Sequence, residues 1–402
     1  MLHFLRDMFL QAKQYIPEEN MIKRILTKAA LFGTLFFSSN QAHAQENDPE
    51  LEHECTSWMV FSDLTGNNTN ILHKNRDSAN RTIIMSASAP GTARQWIALG
   101  SGTGANMGIS RSGLAGVMNS GEKCINPSKN KAGKTTPAIM QHILENCDTA
   151  AQAVEKLKEI IKADDYWHKS SGSTFFFLDS KEGFVCEITA KDCTVQRYDQ
   201  GYAVRANIWQ NPNMQQHSRN SIRHYLNSSA RAYIAFSGLN KALDKHKKIT
   251  LADIFDLSRH WQMPKESPEK RSVCFNSTNS TASLEIDRQY PGTLSTAYCT
   301  FGQPRHTVYV PVPVCARKFR AEMTDNSWSA ASWVRLKAKG LGSPIPAEWN
   351  KYEESFLTEY AAAKEEARKL LNQGKQAEAE NLLNAAAEKI WDKAAAVLAQ
   401  KK

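Results

Sequence analysis

From residue 55 to about residue 320 the chain alternates short strand-like runs with a few helical stretches. WMVFSDL and TNILHKN flank Gly66-Asn67-Asn68, the pattern of a hairpin. QWIALG and a glycine-rich run, GTGANMGISRSGLAGVMNSG, follow. Ile139, Ile143, Ala150, Val154, Leu157 and Ile161 recur at helical spacing and predict one helix over 136–162. STFFFLD, GFVCEITA, CTVQRYD and YAVRANIW are successive strand patterns. A helical stretch over 218–227 is expected, then another in TLADIFDLSRHW with Thr250 as its N-cap. Strands resume in TASLEID, TAYCTF and HTVYVPV. This order predicts an α+β or layered α/β architecture and not a parallel doubly wound sheet. Residues 349–400 differ: Trp349–Leu371 and Gln376–Leu398 are rich in Ala, Glu, Lys and Leu and break at Asn372-Gln373-Gly374, a helical hairpin.

Length refines this only coarsely. A chain of 402 residues accommodates two to three domains, or one large domain with an appendage. With 41% apolar and 23% charged residues it is not collagen-like, disordered or a polytopic membrane protein. The N-terminus reads as an export signal. From Met21 it runs MIKRILTK, AALFGTLFF and SSNQAHA, a basic region, a short apolar region and the small-x-small site Ala42-His43-Ala44. Cleavage is expected at Ala44–Gln45, with Met21 as an alternative start, and no membrane span is expected. The organisation is therefore signal peptide 1–44, acidic propeptide 45–54, main domain 55–330 and helical extension 331–402.

Charge sharpens one boundary. The net charge is +9, but residues 45–54 carry five acids and no base, and the chain from Cys55 onward has 45 basic and 33 acidic residues, or +12. Neither basic run, Lys245–Lys248 or Pro264–Arg271, has interleaved aromatics, so solvated faces are expected and not nucleic-acid contacts. The glycine-rich run lacks the phosphate-loop lysine. Asp164 and Asp165 are neighbours on a loop and point apart, which disfavours a glycosidase pair.

All eight cysteines lie at or after residue 55, and export would permit disulfides. Cys186 and Cys193 flank EITAKD and are placed to bridge a hairpin. No C-x-x-C pair appears, so no metal or other cofactor is expected. Cys55 stands out by position. Cutting Glu54–Cys55 would give one residue both a thiol and a free α-amine. An α-amine titrates near pH ~8 and can serve as general base for its own side chain.

The opening Cys55-Thr56, then a hairpin, then His73-Lys74-Asn75-Arg76-Asp77, resembles the N-terminal-nucleophile (Ntn) hydrolases of the penicillin acyltransferase, penicillin V acylase and bile salt hydrolase group. Gly113-Leu114 with Met118-Asn119 is similar to the segment whose asparagine lies beside the oxyanion site, and Asp179, Gly183 and Glu187 fit the next strand pair. Ala206-Asn207 resembles the Thr-Asn whose asparagine donates to the oxyanion. LSRHWQMPKESPEKRSVCFN and the closing strands resemble the acyltransferase branch, and the Ala/Glu-rich tail resembles the related dipeptidases.

The resemblance implies an αββα sandwich and a self-processing cysteine amidohydrolase or acyltransferase acting on a linear amide. It implies Cys55 as nucleophile, Asp77 holding the α-amine, Asn207 at the oxyanion, and Arg219 as the arginine that follows, with Arg223 as its alternative. Lys74 stands where the group has arginine, keeping the charge and losing the bidentate fork; Arg76 is a candidate to take its place, and Asn119 a candidate support. The expected partner is a small-molecule amide, with a carboxylate favoured by the cationic body; a homo-oligomer is left open. Three other readings stand beside this one: a dipeptidase-type peptidase, an inert anion-binding protein of the same fold, and a Cys55–His260 dyad of papain type, for which the local papain signature is absent.

Overall fold

The computed structural model describes residues 54–102, 104–125, 127–168, 171–219, 221–261 and 272–399. The export signal, Met21, the Ala44–Gln45 site, propeptide residues 45–53 and the basic run 264–271 lie outside the described residues.

Strand alternation and turn chemistry produce thirteen named strands: β1 (Cys55–Val60), β2 (Thr69–Asp77), β3 (Ile84–Ala87), β4 (Trp96–Gly100), β5 (Met107–Ser110), β6 (Ala115–Lys123), β7 (Ser171–Leu178), β8 (Gly183–Ile188), β9 (Cys193–Tyr198), β10 (Tyr202–Arg205), β11 (Thr278–Asp287), β12 (Thr296–Phe301) and β13 (Val310–Pro313). They form a six-stranded sheet, β10-β1-β2-β11-β12-β13, and a seven-stranded sheet, β3 through β9 in sequence order. Every pairing between named strands is antiparallel. The glycine-rich run is the β5–β6 hairpin and not a phosphate loop. Its turn needs Gly113, at φ +88°, where a side chain would meet the Pro291 ring.

The longer helices are α1 (Thr136–Asn146), α2 (Ala150–Lys162), α3 (Ile222–His246), α4 (Leu251–Ser258), α5 (Ser327–Lys339), α6 (Ala347–Asn372) and α7 (Gln376–Ala399). The single helix expected over 136–162 is two. The chain leaves the helix at Cys147, and Thr149 restarts it by accepting from the Gln152 amide. The stretch expected to end at Asn227 continues to His246. Thr250 does cap α4, in a reciprocal capping box with Asp253. α5 runs across residue 330, the expected boundary of the main domain.

The two sheets face each other through β1, β2, β11 and β12 on one side and β5, β6 and β7 on the other. α1 and α2 cover the seven-stranded sheet, and α3, α4, α6 and α7 pack on the six-stranded one. The result is the αββα layering of an Ntn hydrolase. Apolar spacing explains the cover: α2 buries Ala150, Ala153, Val154, Leu157, Ile160 and Ile161 along one face. Sheet residues between the layers are apolar and buried, Met59, Leu72, Ile97, Ile109, Val117 and Phe176 among them, each worth roughly 1.5–3 kcal/mol for a large side chain. The helical hairpin is tied to the body by polar contacts as well. Arg259 grips Glu353 of α6 with two bonds of 2.6 Å, and Trp391 of α7 donates to the Pro311 carbonyl. Among the described residues no helix is long and apolar enough to cross a membrane.

All eight cysteines are free thiols. The Cys186–Cys193 bridge expected from sequence is not formed: the register pairs Cys186 with Val195 and Cys193 with Ile188. The two thiols are diagonal neighbours across the ladder, where cross-strand partners are further apart than directly opposed ones.

Candidate active site

Antiparallel register alone gathers the site. Cys55 opens β1 and pairs with Arg76 near the end of β2, while Ser57 pairs with Lys74. On the other side of β1, Ser57 pairs with Arg205 at the end of β10, so Ala206-Asn207 arrives beside the first residue of β1. Asp77, the last residue of β2, faces Thr278, the first of β11. One end of the six-stranded sheet thus collects Cys55, Asp77 and Asn207.

Strand alternation then sorts the side chains. Cys55, Ser57, Lys74 and Arg76 share the face turned to the second sheet. There Asn119 of β6 accepts from Ser57 Oγ at 2.7 Å and from Lys74 Nζ at 2.9 Å. Its own amide nitrogen points to the carbonyls of Arg205 and Ala206, at 3.4 and 3.3 Å. Lys74 and Asn119 are completely buried. Burial pushes the Lys74 ammonium below its ordinary value, while Cys55, as neighbouring charge and hydrogen-bond partner, pulls it back up. Arg76 is likewise lowered by burial and raised by Cys55 and Asp77. Two basic side chains therefore act on the Cys55 sulfur from two strand positions.

The opposite face meets α3. Arg231, at 0% exposure, donates to the Cys55 carbonyl at 2.6 Å, Thr56 Oγ1 at 3.0 Å and Asn207 Oδ1 at 3.0 Å. Asn207 Oδ1 also accepts from the Cys55 amide at 2.5 Å, and its Nδ2 donates to the Ser120 carbonyl at 2.6 Å. Asn207 thus turns its oxygen, not its NH2, to Cys55 while the Glu54–Cys55 bond is intact. Asp77 accepts from Thr278 Oγ1 and leaves Oδ2 without a partner. Burial pushes its pKa up to about 7; Arg231 and the Thr278 bond oppose the rise, and Glu54 adds to it.

Glu54 is itself buried, at 1% exposure. Its carboxylate takes a bond from Asn227 Nδ2, and Arg231 Nη2 lies 3.3 Å away. Buried polar atoms without partners cluster here: Glu54 Oε1, Arg76 Nη1, Asp77 Oδ2, Asn227 Oδ1 and Arg231 Nε.

Of the residues singled out in the sequence, Cys55, Asp77, Asn207, Lys74, Arg76 and Asn119 come together. Arg219 does not join them: it is exposed on the loop before α3, where its amide donates to the Lys123 carbonyl. Arg223 is half-buried in the first turn of α3. The guanidinium that reaches Cys55 belongs to Arg231, further along the same helix, and no local motif marks it. Glu54, Asn227 and His224 were also not anticipated as contacts. His260 lies just beyond α4, where burial lowers its pKa, its Nδ1 has no hydrogen-bond partner and no hydrogen bond joins it to Cys55. A Cys55–His260 dyad is therefore not formed. The Ser272–Cys274 segment is a bend, with the Val273 and Cys274 amides donating to the His260 carbonyl.

A family model described as acyl-coenzyme A:6-aminopenicillanic acid acyl-transferase matches residues 65–273. The chain belongs to this family. It is an Ntn-type enzyme of carbon–nitrogen amide bonds, the group named from its motifs. Among solved structures it is similar to a mutant conjugated bile acid hydrolase from Clostridium perfringens, at 12% identity and a TM-score of 0.44, over 67% of this chain and 98% of that one. It is also similar to penicillin V acylase from Agrobacterium tumefaciens, at 13% identity and a TM-score of 0.44, over 64% of this chain and 86% of that one. No curated protein matches the sequence.

Proposed function

We propose that this chain is an exported, self-processing cysteine amidohydrolase or acyltransferase whose nucleophile is Cys55. One observation carries the reading. Lys74, Asn207 and Arg231, from a strand, a strand end and a helix, converge on a single buried cysteine that opens a strand directly after an acidic segment.

Cleavage of Glu54–Cys55 turns the Cys55 amide into an amine. Asn207 Oδ1 and Arg231 already fix that nitrogen and the neighbouring carbonyl, so the general base is generated in place. The amine takes the thiol proton as sulfur attacks an amide carbonyl. The tetrahedral intermediate collapses to a thioester and the amine of the substrate leaves with the proton. Water, or a second amine, then resolves the thioester. Asp77 is assigned to hold the Cys55 amine. Processing removes the Glu54 charge that helps raise its pKa, and the ammonium formed when the amine takes the thiol proton then favours the ionised Asp77 carboxylate. Asn207 is assigned to the oxyanion, a role that requires its NH2 to leave the Ser120 carbonyl. Lys74 and Arg76 are assigned to charge stabilisation at the sulfur, and Asn119 to holding Lys74. The signal sequence over residues 1–44 supports export, with cleavage at Ala44–Gln45 preceding self-processing.

N-terminal sequencing and intact mass of exported protein test the reading. A mature chain starting at Cys55 is expected, with Cys55→Ser retaining the propeptide or losing amide hydrolysis. Protein active on acyl amides whose chain always starts at Gln45 overturns it.

A further inference from the structure

We propose that the pocket now filled by the Glu54 side chain becomes, after processing, a carboxylate subsite that selects glutaryl or α-glutamyl acyl groups. This rests on the reading of Cys55 as the self-processing nucleophile and names the substrate class of that same site.

The pocket is made by one face of α3. His224, Asn227 and Arg231 stand at i, i+3 and i+7, the spacing that aligns side chains along a helix. Asn227 Nδ2 donates to Glu54 Oε2, Arg231 Nη2 lies 3.3 Å from the same oxygen, and His224 Nδ1 lies 3.7 Å from Oε1. Asn227 and Arg231 are buried at 2% and 0% exposure. A carboxylate taken out of water is strongly unfavourable unless paired, so this is a site built for an anion. It still has unused donor capacity: Arg231 Nε has no hydrogen-bond partner. The pocket also touches the reaction centre. Arg231 binds Glu54 and the Cys55 carbonyl together, and His224 Nε2 lies 3.3 Å from the Asn207 carbonyl oxygen.

Self-processing makes Glu54 the first acyl group that the nucleophile carries. Cys55 sulfur bonds to the Glu54 carbonyl carbon, the Glu54–Cys55 carbon–nitrogen bond breaks, and the thiol proton passes to the departing Cys55 nitrogen. The product is a glutamyl thioester whose side chain sits in the α3 pocket. Water hydrolyses it, leaving a carboxylate on Glu54 and restoring the thiol. The departing propeptide vacates the pocket, but Asn227, His224 and Arg231 stay. A substrate must bring its own carbonyl carbon to the same sulfur. An acyl chain with the spacing of glutamate then places its carboxylate where that of Glu54 was. Glutaryl is that chain without its amino group.

The test uses the full chain after it has processed, verified by mass. Glutaryl p-nitroanilide is compared with the carboxamide analogue and with valeryl p-nitroanilide, following turnover and acylation of Cys55. A kcat/KM about tenfold or more in favour of glutaryl is expected, the factor of one good polar contact. Asn227→Leu should bring the ratio towards one. Should that variant fail to fold, wild-type protein is alkylated with iodoacetamide, and glutarate should protect Cys55 more strongly than glutaramate. Neutral anilides turned over with no glutaryl preference, a preference unchanged in Asn227→Leu, or equal protection by glutarate and glutaramate overturns the subsite and leaves the nucleophile standing. Failure of every anilide to acylate Cys55 overturns both.

Discussion

Arg231 Nη1 donates to the carbonyl oxygen of Cys55 at 2.6 Å, from a position 176 residues further along the chain. The same guanidinium reaches Thr56, Asn207, Ser228 and Glu54. It is thus a hub between the scissile bond and its surroundings. Arg231→Met leaves Glu54 buried without its nearest full charge, and breaking a buried pair from one side costs about 3–5 kcal/mol. The expected outcome is a precursor that unfolds at lower denaturant and no longer matures by intact mass. Arg231→Lys should restore part of the stability but little of the maturation, because a single ammonium cannot reproduce the fork to several acceptors.

The site was legible where strand register dictates it and illegible where a helix face does. Cys55, Lys74, Asp77, Asn119 and Asn207 occupy strands or strand ends, whose alternation and pairing place residues at predictable distances. Arg231 sits mid-helix in a stretch that also exposes Ile222, Tyr225 and Tyr233. That mixed face weakens the apolar period, so the helix itself was expected only to Asn227. Arginines nearer its start were no less plausible than Arg231. The break at Cys147–Thr149 was missed for the opposite reason: the apolar residues on either side stay in helical phase, and only the Thr149 cap betrays the restart. Glu54 was read only as the last residue of an acidic propeptide, with no partner named for it. Its burial depends on Asn227 and Arg231, which lie far off in sequence.

Lys74 is the position where the chain departs from its relatives' motif, and its surroundings make the departure testable. Its Nζ is completely buried between Asn119 and Cys55. Lys74→Met removes the positive charge from the sulfur and strands the Asn119 oxygen on one side. Alkylation of Cys55 by iodoacetamide near neutral pH should slow by about tenfold or more, since a neighbouring cation promotes the reactive thiolate. Lys74→Arg should retain alkylation, because charge and reach are kept. Equal labelling rates in wild type and Lys74→Met would remove Lys74 from the site.

Asn207 is asked to do two jobs with two different atoms. Its Oδ1 receives the Cys55 N–H in the unprocessed chain, and its Nδ2 is the donor that an oxyanion needs. Asn207→Asp keeps the acceptor and deletes the donor. Maturation should therefore persist in Asn207→Asp while turnover of acyl amides by the mature chain falls about 10²–10³-fold, the usual cost of one oxyanion donor. Asn207→Leu should lose both. Unchanged turnover in the matured aspartate variant would assign the oxyanion elsewhere.

Two buried groups on the same face of β2 titrate against each other. His73 bonds Ser283 and Asn75 and stacks on Trp58 at 4.1 Å; burial pulls its pKa down to about 3. Asp77 is pushed up to about 7. For His73 the unfolded chain binds the proton first, so its contribution to stability is present above pH ~6.5 and is lost as pH falls towards 3. For Asp77 the folded chain holds the proton longer. Its contribution is present below pH ~3.9 and is lost as pH rises towards 7. Between about pH 4 and 6.5 the two slopes, each up to about 1.4 kcal/mol per pH unit, have opposite signs and offset one another. Chemical unfolding of a Cys55→Ala precursor, which keeps Glu54 in place, gives the reference slope across that window. Adding Asp77→Asn should make stability rise more steeply with pH, and adding His73→Gln should make it rise less or fall. A slope that neither change moves would show that neither group titrates as its burial dictates.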